Sequence, residues 1–356
     1  MKGYIEKLVK GKDVFVGIDL HKRNWKVTLR TEDDEVTTCT VPGKWEALRD
    51  VLVRYKDSAR KVRVVYEAGC FGFWLCDRLV GWGCECIVTP PSRMPQEAGN
   101  RVKTDRKDSK KLAYMLAKGM LKEVYVPTKQ ERYHRQVART RRQLIRHRVR
   151  VQNQIKAQAS FYGIELPERR GKWTKTFAEN LWRLDFGDRF MNESFRSLLK
   201  LYEDTSKIID KQTKLLKELS QTELYRERVG ILRSAPGIGD ISAMEFLLEL
   251  QDLARFRRAD ELSAYVGLTP SQYSSGENVR MGHITRAGKA AVRAALVEAS
   301  WVLINKDAAM RMRYEALKVH AGGKRAIVAV AHNFLLRLRR MLLDGKPYAL
   351  GLVRTQ

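Results

Sequence analysis

Two short apolar runs near the N terminus each end at an acidic residue. Residues 14–20 include Asp19 near their end, and residues 62–66 are followed directly by Glu67. Short runs rich in valine and isoleucine are typical of buried β-strands. We therefore predict two buried strands that each carry a carboxylate at the C-terminal end.

The segments around these runs complete an α/β pattern. Strand patterns occupy residues 24–30, 35–41 and 84–89, and helical spacing occupies residues 45–55 and 71–80. The order of three strands, helix, strand, helix and strand predicts one mixed sheet with helices packed on it. In such a sheet the ends of two strands can lie side by side, which would bring the two acids together.

Paired carboxylates repel one another unless a cation lies between them. Carboxylate oxygens are hard ligands, so Mg²⁺ or Mn²⁺ is the ion that they would select. The alternative is that Asp19 and Glu67 are ordinary strand-end acids at the solvent edge. On these two residues alone, that alternative is favoured.

A second acidic pair lies in the most basic part of the chain. Asp105 and Asp108 are three residues apart in Lys-Thr-Asp-Arg-Lys-Asp at 103–108, so they would share one face at the start of a helix predicted over 108–121. Charge balance, or the preference of helix N termini for acids, would also explain them. Four carboxylates beside cations are nevertheless what two-metal phosphodiester chemistry requires, because the metals neutralise the phosphate and activate the attacking oxygen.

The charge of the chain indicates a polyanionic partner. The 356 residues carry a net charge of +27, of which +14 lies in residues 101–158 and +10 in residues 271–356. Two concentrated basic stretches are typical of binding faces. The N-terminal residues lack the features of a signal peptide, and no apolar run approaches the length needed to cross a membrane. We expect a soluble cytoplasmic protein that binds nucleic acid.

The largest basic feature is a helix predicted over 131–160. It has eight arginines between residues 132 and 150 and no acid after Glu131. A face exposed only to solvent would normally include glutamates, so contact with a nucleic-acid backbone is the favoured interpretation. The residues expected to make such contacts are Arg135, Arg139, Arg142 and Arg146 on this helix, and Lys103, Arg106 and Lys107 beside the second acidic pair.

A heptad pattern follows in the middle of the chain. Its members are spaced by three and four residues, with charges of both signs between them: Leu198, Leu201, Thr205, Ile208, Gln212, Leu215 and Leu219. Such a seam fits one helix of an intramolecular hairpin and a dimerisation surface about equally. We therefore divide the chain into an α/β domain at 1–127, an Arg-rich and coiled-coil region at 128–229, and a mainly α-helical C-terminal domain at 230–356.

Glycines mark two segments of the C-terminal domain. In Pro-Gly-Ile-Gly at 236–239, Gly237 and Gly239 would let backbone N–H groups approach a phosphate, as in a helix-hairpin-helix motif. A tight turn between helices is an equally good interpretation. The second segment, 267–288, is rich in glycine and serine.

Ser275 lies in this second segment, next to a glycine and near Arg280, Arg286 and Arg293. A serine hydroxyl becomes a nucleophile when a metal or a base favours its deprotonation, and nearby cations would stabilise the charge of the transition state. The alternative is a loop serine that hydrogen-bonds the backbone.

Three N-terminal motifs resemble a known catalytic domain. Val-Gly-Ile-Asp at 16–19, Tyr-Glu-Ala-Gly at 66–69 and Lys-Thr-Asp-Arg-Lys-Asp at 103–108 resemble the RuvC-like DEDD domain of the transposases of insertion-sequence family 110, which includes the 1111 subgroup and Piv-type invertases. Four C-terminal motifs follow the second domain of that family in the same order: Ala-Pro-Gly-Ile-Gly at 235–239, Tyr-Val-Gly-Leu-Thr-Pro at 265–270, Tyr-Ser-Ser-Gly at 273–276 and Thr-Arg-Ala-Gly at 285–288.

This resemblance implies a specific site. It implies an RNase-H-like catalytic domain whose four acids, Asp19, Glu67, Asp105 and Asp108, bind Mg²⁺ (or Mn²⁺). It also implies a serine nucleophile in the C-terminal domain. That residue corresponds to Ser275, with the adjacent Ser274 as the main alternative and Ser271 as a weaker one.

The resemblance also implies partners and an activity. A structured noncoding bridge RNA would pair with donor and target DNA, and homodimers would assemble into tetramers with active sites shared between subunits. The expected function is that of an RNA-guided transposase, a site-specific DNA recombinase that excises and inserts its own element. Such a protein would be associated with the bacterial nucleoid when it acts.

Two other functions fit parts of the pattern. A RuvC-like junction resolvase would use water as the nucleophile, but it would not need the domain after residue 230. A nonenzymatic nucleic-acid-binding scaffold would keep the sheet without the chemistry. The presence of all four acids argues against the scaffold.

Overall fold

The computed structural model describes residues 8–93, 105–167, 173–275 and 278–351, and of residues 93, 105, 106, 273–275 and 278–281 it describes only the backbone. Backbone contacts divide the chain into two units, Met1–Val126 and Pro127–Gln356. The division into three domains stays a prediction.

The first unit is built on a five-stranded sheet in the order β3-β2-β1-β4-β5. Its strands are β1 (Asp13–Leu20), β2 (Asn24–Arg30), β3 (Glu35–Pro42), β4 (Lys61–Glu67) and β5 (Glu85–Thr89). The first three strands pair antiparallel, whereas β1 is parallel to β4 and β4 is parallel to β5. The predicted mixed sheet is confirmed, and β1 and β4 share a C-terminal edge.

Helices cover both faces of this sheet. The helices α1 (Trp45–Lys56) and α2 (Trp74–Gly81) pack on the face that buries Trp25 and Tyr66. The helix α3 (Asp105–Ala117) packs against β1, β2 and β4 on the opposite face. Burial of apolar side chains under α1 and α2 forms the core of the unit.

Two predicted helices begin at different residues in the structure. The helix expected over 71–80 starts only at Trp74, because Gly72 turns the chain with a φ of 62°. The helix expected over 108–121 spans Asp105–Ala117, so Asp105 lies within its first turn.

The second unit is mostly helical. Its helices are α4 (Lys129–Phe161), α5 (Lys175–Leu181), α6 (Arg189–Ser220), α7 (Arg226–Arg233), α8 (Asp240–Leu250), α9 (Ala259–Val266), α10 (Ala290–Lys306), α11 (Ala308–Ala321) and α12 (Gly323–Asp344). A two-stranded antiparallel ribbon, β6 (Pro270–Ser275) and β7 (Asn278–Ile284), lies between α9 and α10. None of the helices within the described ranges has the length and apolar character that a membrane crossing requires.

The helices α4 and α6 pack along each other as a long hairpin with a hydrophobic cluster towards each end. Ala138 of α4 and Leu216 of α6 belong to a large core shared with α8, α10 and α12. Ile155 of α4 and Phe195 of α6 belong to a separate, smaller cluster that includes α5.

The heptad residues of α6 are divided between two environments. The large apolar residues that α6 buries are Phe195, Leu199, Ile209 and Leu216, mostly one position away from the predicted seam. Leu201, Ile208 and Leu215 are 41%, 45% and 45% exposed. The hairpin is therefore held mainly by neighbours of the seam, together with the buried seam residue Thr205. Three large apolar side chains spaced by seven residues remain on its outside.

Candidate active site

Asp19 and Glu67 lie next to each other at the C-terminal edge of the first unit's sheet. The strands β1 and β4 pair in parallel up to Ile18 and Tyr66, and each acid is the next residue of its strand. Neighbouring strands are about 4.8 Å apart. The structure thus brings these two carboxylate-bearing residues together.

Both acids are on the face of the sheet that α3 covers. A Cβ atom built on Gly17 would lie 2.2 Å from the carbonyl oxygen of Ser109 and 2.4 Å from the amide nitrogen of Ala113. Because alternate residues of a strand share a face, Asp19 lies on the same side of β1 as Gly17, and Glu67 lies beside it in the neighbouring strand. The glycine lets α3 lie directly on the strand.

Polar contacts hold α3 in this position. The hydroxyl of the buried Ser109 shares a 3.0 Å hydrogen bond with Thr28 of β2, and Thr28 shares one of 2.9 Å with Thr38 of β3. Lys110 Nζ also lies 2.9 Å from Glu35 Oε1 at the start of β3. The helix is therefore tied to strands on which none of the four acids lies.

The helix α3 runs antiparallel to β1. Ser109 lies beside Gly17, but Tyr114, farther along the helix, lies under Arg30, whose guanidinium carbon is 4.9 Å from the ring centroid. Arg30 pairs with Phe15, near the start of β1. The first turn of α3 therefore points towards the end of β1.

This direction carries the backbone of the first turn of α3 towards the same edge. Asp105 precedes Ser109 by one helical turn, about 6 Å along the helix axis. Asp19 lies two residues beyond Gly17, which is also about 6–7 Å along the strand. The backbone of the first turn of α3 thus reaches the edge that carries the strand acids, and the partly buried Asp108 belongs to that turn.

Three cations near this edge were predicted to bind nucleic acid. Lys107 is exposed in the first turn of α3. Lys103 lies outside the described residues, as do the side chains of Arg106 and Asp105.

Asp19 has two polar neighbours on its own sheet. His21 Nε2 is 3.1 Å from Asp19 Oδ2, and the two side chains are 52% and 22% exposed. Lys26 pairs with Asp19 across β1 and β2, and its ammonium donates to Thr40 Oγ1 at 2.6 Å. The histidine contact can orient the carboxylate towards a ligand.

The donor atoms at this edge fit a hard divalent cation. A site made of carboxylates offers oxygen ligands alone, the set that Mg²⁺ and Mn²⁺ prefer. Among the described side chains, which leave out that of Asp105, no group of three acidic, histidine or cysteine residues could hold a metal ion. Asp19, Glu67 and Asp108, whose side chains are described, therefore do not form such a group by themselves.

Ser275 lies at the tip of the β6–β7 ribbon, an element that the sequence analysis did not predict. It is the last residue of β6 and pairs with Asn278, the first of β7. Because Tyr273 pairs with Arg280, the register assigns Ser275 and Arg280 to one face of the ribbon and Ser274 to the other. The side chains of these residues lie outside the described part of the chain.

Two glycines fix the base of this ribbon. A Cβ on Gly267 would lie 1.9 Å from the carbonyl oxygen of Ala287, and a Cβ on Gly288 would lie 2.1 Å from that of Tyr265. Both glycines also have positive φ angles, 77° and 89°. The two backbone segments cross in direct contact, which only glycine permits.

The predicted nucleic-acid contacts near the ribbon have different environments. Arg293 Nη1 donates to the carbonyl oxygens of Val266 at 2.6 Å and Ala287 at 3.3 Å, so this side chain supports the crossing. Arg286 is exposed and has a φ of 54°. The side chain of Arg280 lies outside the described residues.

Acidic partners for the arginine-rich helix α4 come from α8. Arg139 donates to both carboxylate oxygens of Glu249, at 3.0 and 2.9 Å, and Arg142 Nη1 donates to Oε1 at 3.3 Å. Glu245 lies 3.8 Å from Arg142 and 4.0 Å from Arg141. This pairing was not predictable from the sequence because Glu249 is 110 residues from Arg139. The available signal was two glutamates four residues apart in a largely apolar helix.

The remaining predicted contacts of α4 differ in exposure. Burial, followed by the charge of Arg139, lowers the pKa of Arg135. Arg146 is exposed on the surface of the helix.

The glycines of the α7–α8 turn also differ. A Cβ on Gly237 would lie 2.6 Å from the carbonyl oxygen of Ala299 on α10, so the missing side chain allows packing inside the unit. A Cβ on Gly239 would meet no described atom within 4 Å, and its N–H donates to Ser242 Oγ at 2.9 Å. Gly237 therefore has a packing role, and Gly239 has an open side.

The chain is similar to insertion-sequence transposases along most of its length. Residues 16–163 match the profile of the DEDD-type transposases of IS110 elements, and residues 229–315 match the profile of the IS116/IS110/IS902 transposase family. A putative transposase, y4qE of Sinorhizobium fredii, is 28% identical over 82% of this chain and 72% of its own length.

Two further relatives are transposases of named elements. The transposase for IS1533 of Leptospira borgpetersenii is 26% identical over 67% of this chain and 70% of its own length. The transposase for IS1111A of Coxiella burnetii is 24% identical over 74% of this chain and 73% of its own.

The profiles and the relatives agree on the class of protein. This is a DEDD-type transposase, an enzyme that cuts and rejoins DNA, and proteins of this type generally use divalent metal ions. The chain belongs to the IS110 family of insertion-sequence transposases. The resemblance stated from the sequence motifs is thereby confirmed.

Proposed function

We propose that this transposase excises and inserts its element by attack of Ser275 on a DNA phosphodiester, at a site where the four acids would hold a divalent metal ion. The observation that carries the proposal is the convergence of Asp19, Glu67 and the first turn of α3 on one edge of the sheet. The order of the strands and the position of α3 support a RuvC-like, RNase-H-like assignment of this unit.

The four acids Asp19, Glu67, Asp105 and Asp108 would hold Mg²⁺, or Mn²⁺ in its place. The bound metal would offset the negative charge of the phosphate and favour deprotonation of the attacking hydroxyl. His21 would orient Asp19 through their 3.1 Å contact.

In the proposed reaction the Ser275 hydroxyl oxygen forms a bond to phosphorus, and the bond between phosphorus and one deoxyribose oxygen breaks. The serine proton passes to solvent, and the leaving oxygen takes up a proton. The DNA strand stays attached to the serine until the hydroxyl of another strand reverses the step. Arg280, on the same face of the ribbon, would stabilise the negative charge that develops.

The other serines of the ribbon fit this role less well. Ser274 falls on the opposite face in the register, away from Arg280. Ser271 Oγ donates to the carbonyl oxygen of His283 at 3.0 Å, as a structural serine does.

We propose that the basic residues bind nucleic-acid backbones. Their partners would be DNA and a structured bridge RNA, and pairing of that RNA with donor and target would supply the sequence specificity. The high positive charge of residues 101–158 supports backbone recognition, which requires no reading of bases. The residues concerned are Lys103, Arg106, Lys107, Arg135, Arg139, Arg142, Arg146, Arg280, Arg286 and Arg293, with the backbone of Gly237 and Gly239.

The outer stripe of α6 would join two copies of the chain. Leu201, Ile208 and Leu215 are seven residues apart and exposed, which is the spacing of a coiled-coil contact. A second copy presents the same stripe, so the contact is self-complementary. Homodimers formed in this way would assemble into tetramers on DNA.

A covalent adduct tests the proposed nucleophile. Purified protein, with and without co-purifying RNA, is incubated with supercoiled DNA and Mg²⁺ and then denatured. We expect a protein–DNA adduct with the wild type and with Ser271→Ala, and none with Ser275→Ala. An adduct that survives Ser275→Ala overturns the assignment. Cleavage with free ends and no adduct in the wild type would instead favour water as the nucleophile.

The acids are tested separately from the serine. Asp19→Asn and Glu67→Gln should abolish cleavage and leave DNA binding intact, whereas Asp50→Asn, at an exposed site on α1, should leave both unchanged. Cleavage at the wild-type rate by Asp19→Asn would overturn the metal site. Absence of cleavage by every protein, including the wild type, would favour a binding scaffold.

A further inference from the structure

A basic cavity lies in the second unit, between α4, the end of α8 and the start of α10. Its volume is about 250 Å³, many times the roughly 30 Å³ that one water molecule occupies in the liquid. Arg139, Arg142 and Arg146 line it from α4, Lys289 lines it from the start of α10, and Glu249 lines it from α8. It therefore has room for a phosphate group and part of its sugar.

The cations of this cavity outnumber its acids. Glu249 is the one carboxylate among the described lining residues, and its side chain is only 3% exposed. Arg139 binds both of its oxygens, and Arg142 and Lys289 each donate to one oxygen at 3.3 Å. Within the described lining, four positive charges thus face the single negative charge of Glu249, while Glu245, outside the lining, lies 3.8 Å from Arg142.

Cations at and near the cavity lower the pKa values of two titratable groups, Glu249 and Tyr265. Burial would raise the pKa of Glu249, but the hydrogen bond from Arg139 and the charges of Lys289 and Arg142 lower it to about 2. Burial would also raise the pKa of Tyr265, but Lys289 and Arg255 lower it. In both groups the effect of the nearby cations outweighs that of burial.

We infer that this cavity binds one backbone phosphate of a nucleic acid, with Arg146 and Lys289 as the contacts and Glu249 as a positioning residue. The inference rests on the proposed nucleic-acid binding and assigns it a defined place. Guanidinium groups bind phosphate through paired hydrogen bonds, and ammonium groups bind it as point charges. A phosphodiester carries a single negative charge, which the surplus of cations in the lining attracts.

Glu249 holds the guanidinium groups of Arg139 and Arg142 in place before a ligand binds. Each guanidinium has five N–H donors in a rigid plane, and the two hydrogen bonds from Arg139 to Glu249 use only part of that set. Fixing the guanidinium planes before binding reduces the entropy lost when the phosphate enters. Arg146 differs because it is exposed at the rim, where a phosphate would first be met.

The test measures the salt dependence of binding with full-length protein. Fluorescence anisotropy measures the affinity of the protein for a labelled DNA duplex and, separately, for an RNA duplex of equal length. The NaCl concentration is varied between about 50 and 300 mM, and the slope of log affinity against log salt concentration is determined. Arg146→Gln and Lys289→Gln are compared with Lys289→Arg, which keeps the charge. Lys211→Gln, an exposed lysine on α6 outside the cavity, is the matched control. Thermal melting of each variant checks that it is folded.

We expect Arg146→Gln and Lys289→Gln each to lower the salt slope by about one and to weaken binding about three- to tenfold. Lys289→Arg and Lys211→Gln should keep the wild-type slope. A change with only one duplex identifies the nucleic acid that occupies the cavity.

Other results would overturn the inference. Wild-type slopes in both cavity variants, or an equal loss in Lys211→Gln, would remove this cavity as the site and leave the proposed function intact. A wild-type protein that binds neither duplex would overturn the proposed function as well.

Discussion

The carbonyl oxygen of Ser109 lies directly over Gly17, so close that a Cβ on the glycine would be 2.2 Å from it. The contact is between backbone atoms, which cannot move aside as the end of a flexible side chain could. It sets the distance between β1, which carries Asp19, and α3, whose first turn carries Asp105 and Asp108.

Gly17→Ala should therefore damage both stability and catalysis. Overpacking of this kind costs about 1–3 kcal/mol, and moving α3 away from β1 would separate the acids. We expect a lower free energy of unfolding in urea and a large loss of Mg²⁺-dependent DNA cleavage. Gly81→Ala is the control, because a Cβ there meets no described atom within 4 Å. Wild-type cleavage by Gly17→Ala would contradict the importance of this contact.

Gly288→Ala should disrupt the backbone crossing at the base of the β6–β7 ribbon. Gly288 has a φ of 89°, and a Cβ atom built on it would lie 2.1 Å from the carbonyl oxygen of Tyr265. Both features exclude a side chain at this position. We expect faster proteolysis within β6 and β7 and loss of the covalent DNA adduct. Gly230→Ala in α7 has open space and a negative φ, so it should be neutral or stabilise the helix by up to about 1 kcal/mol. Equal proteolysis of both variants would count against the proposed crossing.

The stability of the second unit should depend on pH through Glu249. Its pKa is 4.5 in the unfolded chain and about 2 in the folded one. A group whose pKa is lowered by folding stabilises the protein above the unfolded value, and this contribution disappears as the pH falls through the folded value. The difference corresponds to about 3 kcal/mol at neutral pH.

Glu249→Gln is the variant that measures this contribution. We expect the free energy of unfolding of the wild type to fall more steeply than that of Glu249→Gln between pH 5 and pH 2, by about 3 kcal/mol in total. Glu227→Gln, at an exposed site on α7, should follow the wild-type pH profile. Parallel profiles for the wild type and Glu249→Gln would show that the cations do not stabilise this carboxylate.

Ile208→Glu should separate the proposed dimer without unfolding the hairpin. Ile208 is 45% exposed, whereas its neighbour Ile209 is buried against the rest of the unit. A charge on the outer stripe opposes association because it would be buried in the dimer. We expect light scattering to give a monomer for Ile208→Glu and a dimer for Lys214→Glu, an exposed site on another side of α6, with equal melting temperatures. A monomeric wild type would rule out this surface as the dimer contact.

Complementation tests whether active sites are shared between subunits. Asp19→Asn keeps Ser275, and Ser275→Ala keeps all four acids. If one subunit supplies the acids and another the serine, a mixture of the two inactive variants should recover the covalent adduct, on the Asp19→Asn chain alone. If both come from one chain, the mixture should stay inactive.

The first unit was largely predictable because its signals are local. Apolar runs that end at Asp19 and Glu67 indicate strands, and the order of strands and helices limits how they can pair. A glycine in the middle of a buried strand is also a signal that another backbone packs closely against that strand, as α3 does at Gly17. This signal was not used in the prediction from the sequence.

The second unit was less predictable because its determinants are far apart in the chain. The β6–β7 ribbon has few apolar residues, and its base depends on Gly267 meeting Ala287. The partner of Arg139 is 110 residues away, so a helix that has no acid of its own after Glu131 is nevertheless paired with acids. In α6 the buried face lies one position from the heptad, because the partner helix and not the spacing decides which side is covered.

The helix α4, like its partner α6, contributes to two separate hydrophobic clusters. Ala138 belongs to one cluster and Ile155 to the other, about 25 Å apart along the same helix. Each added or deleted residue between them would rotate one cluster by about 100° relative to the other. Changes of length in this part of α4 are therefore restricted to about whole turns, in steps of three to four or seven residues, and the angular phase of the helix is as important to this protein as its composition.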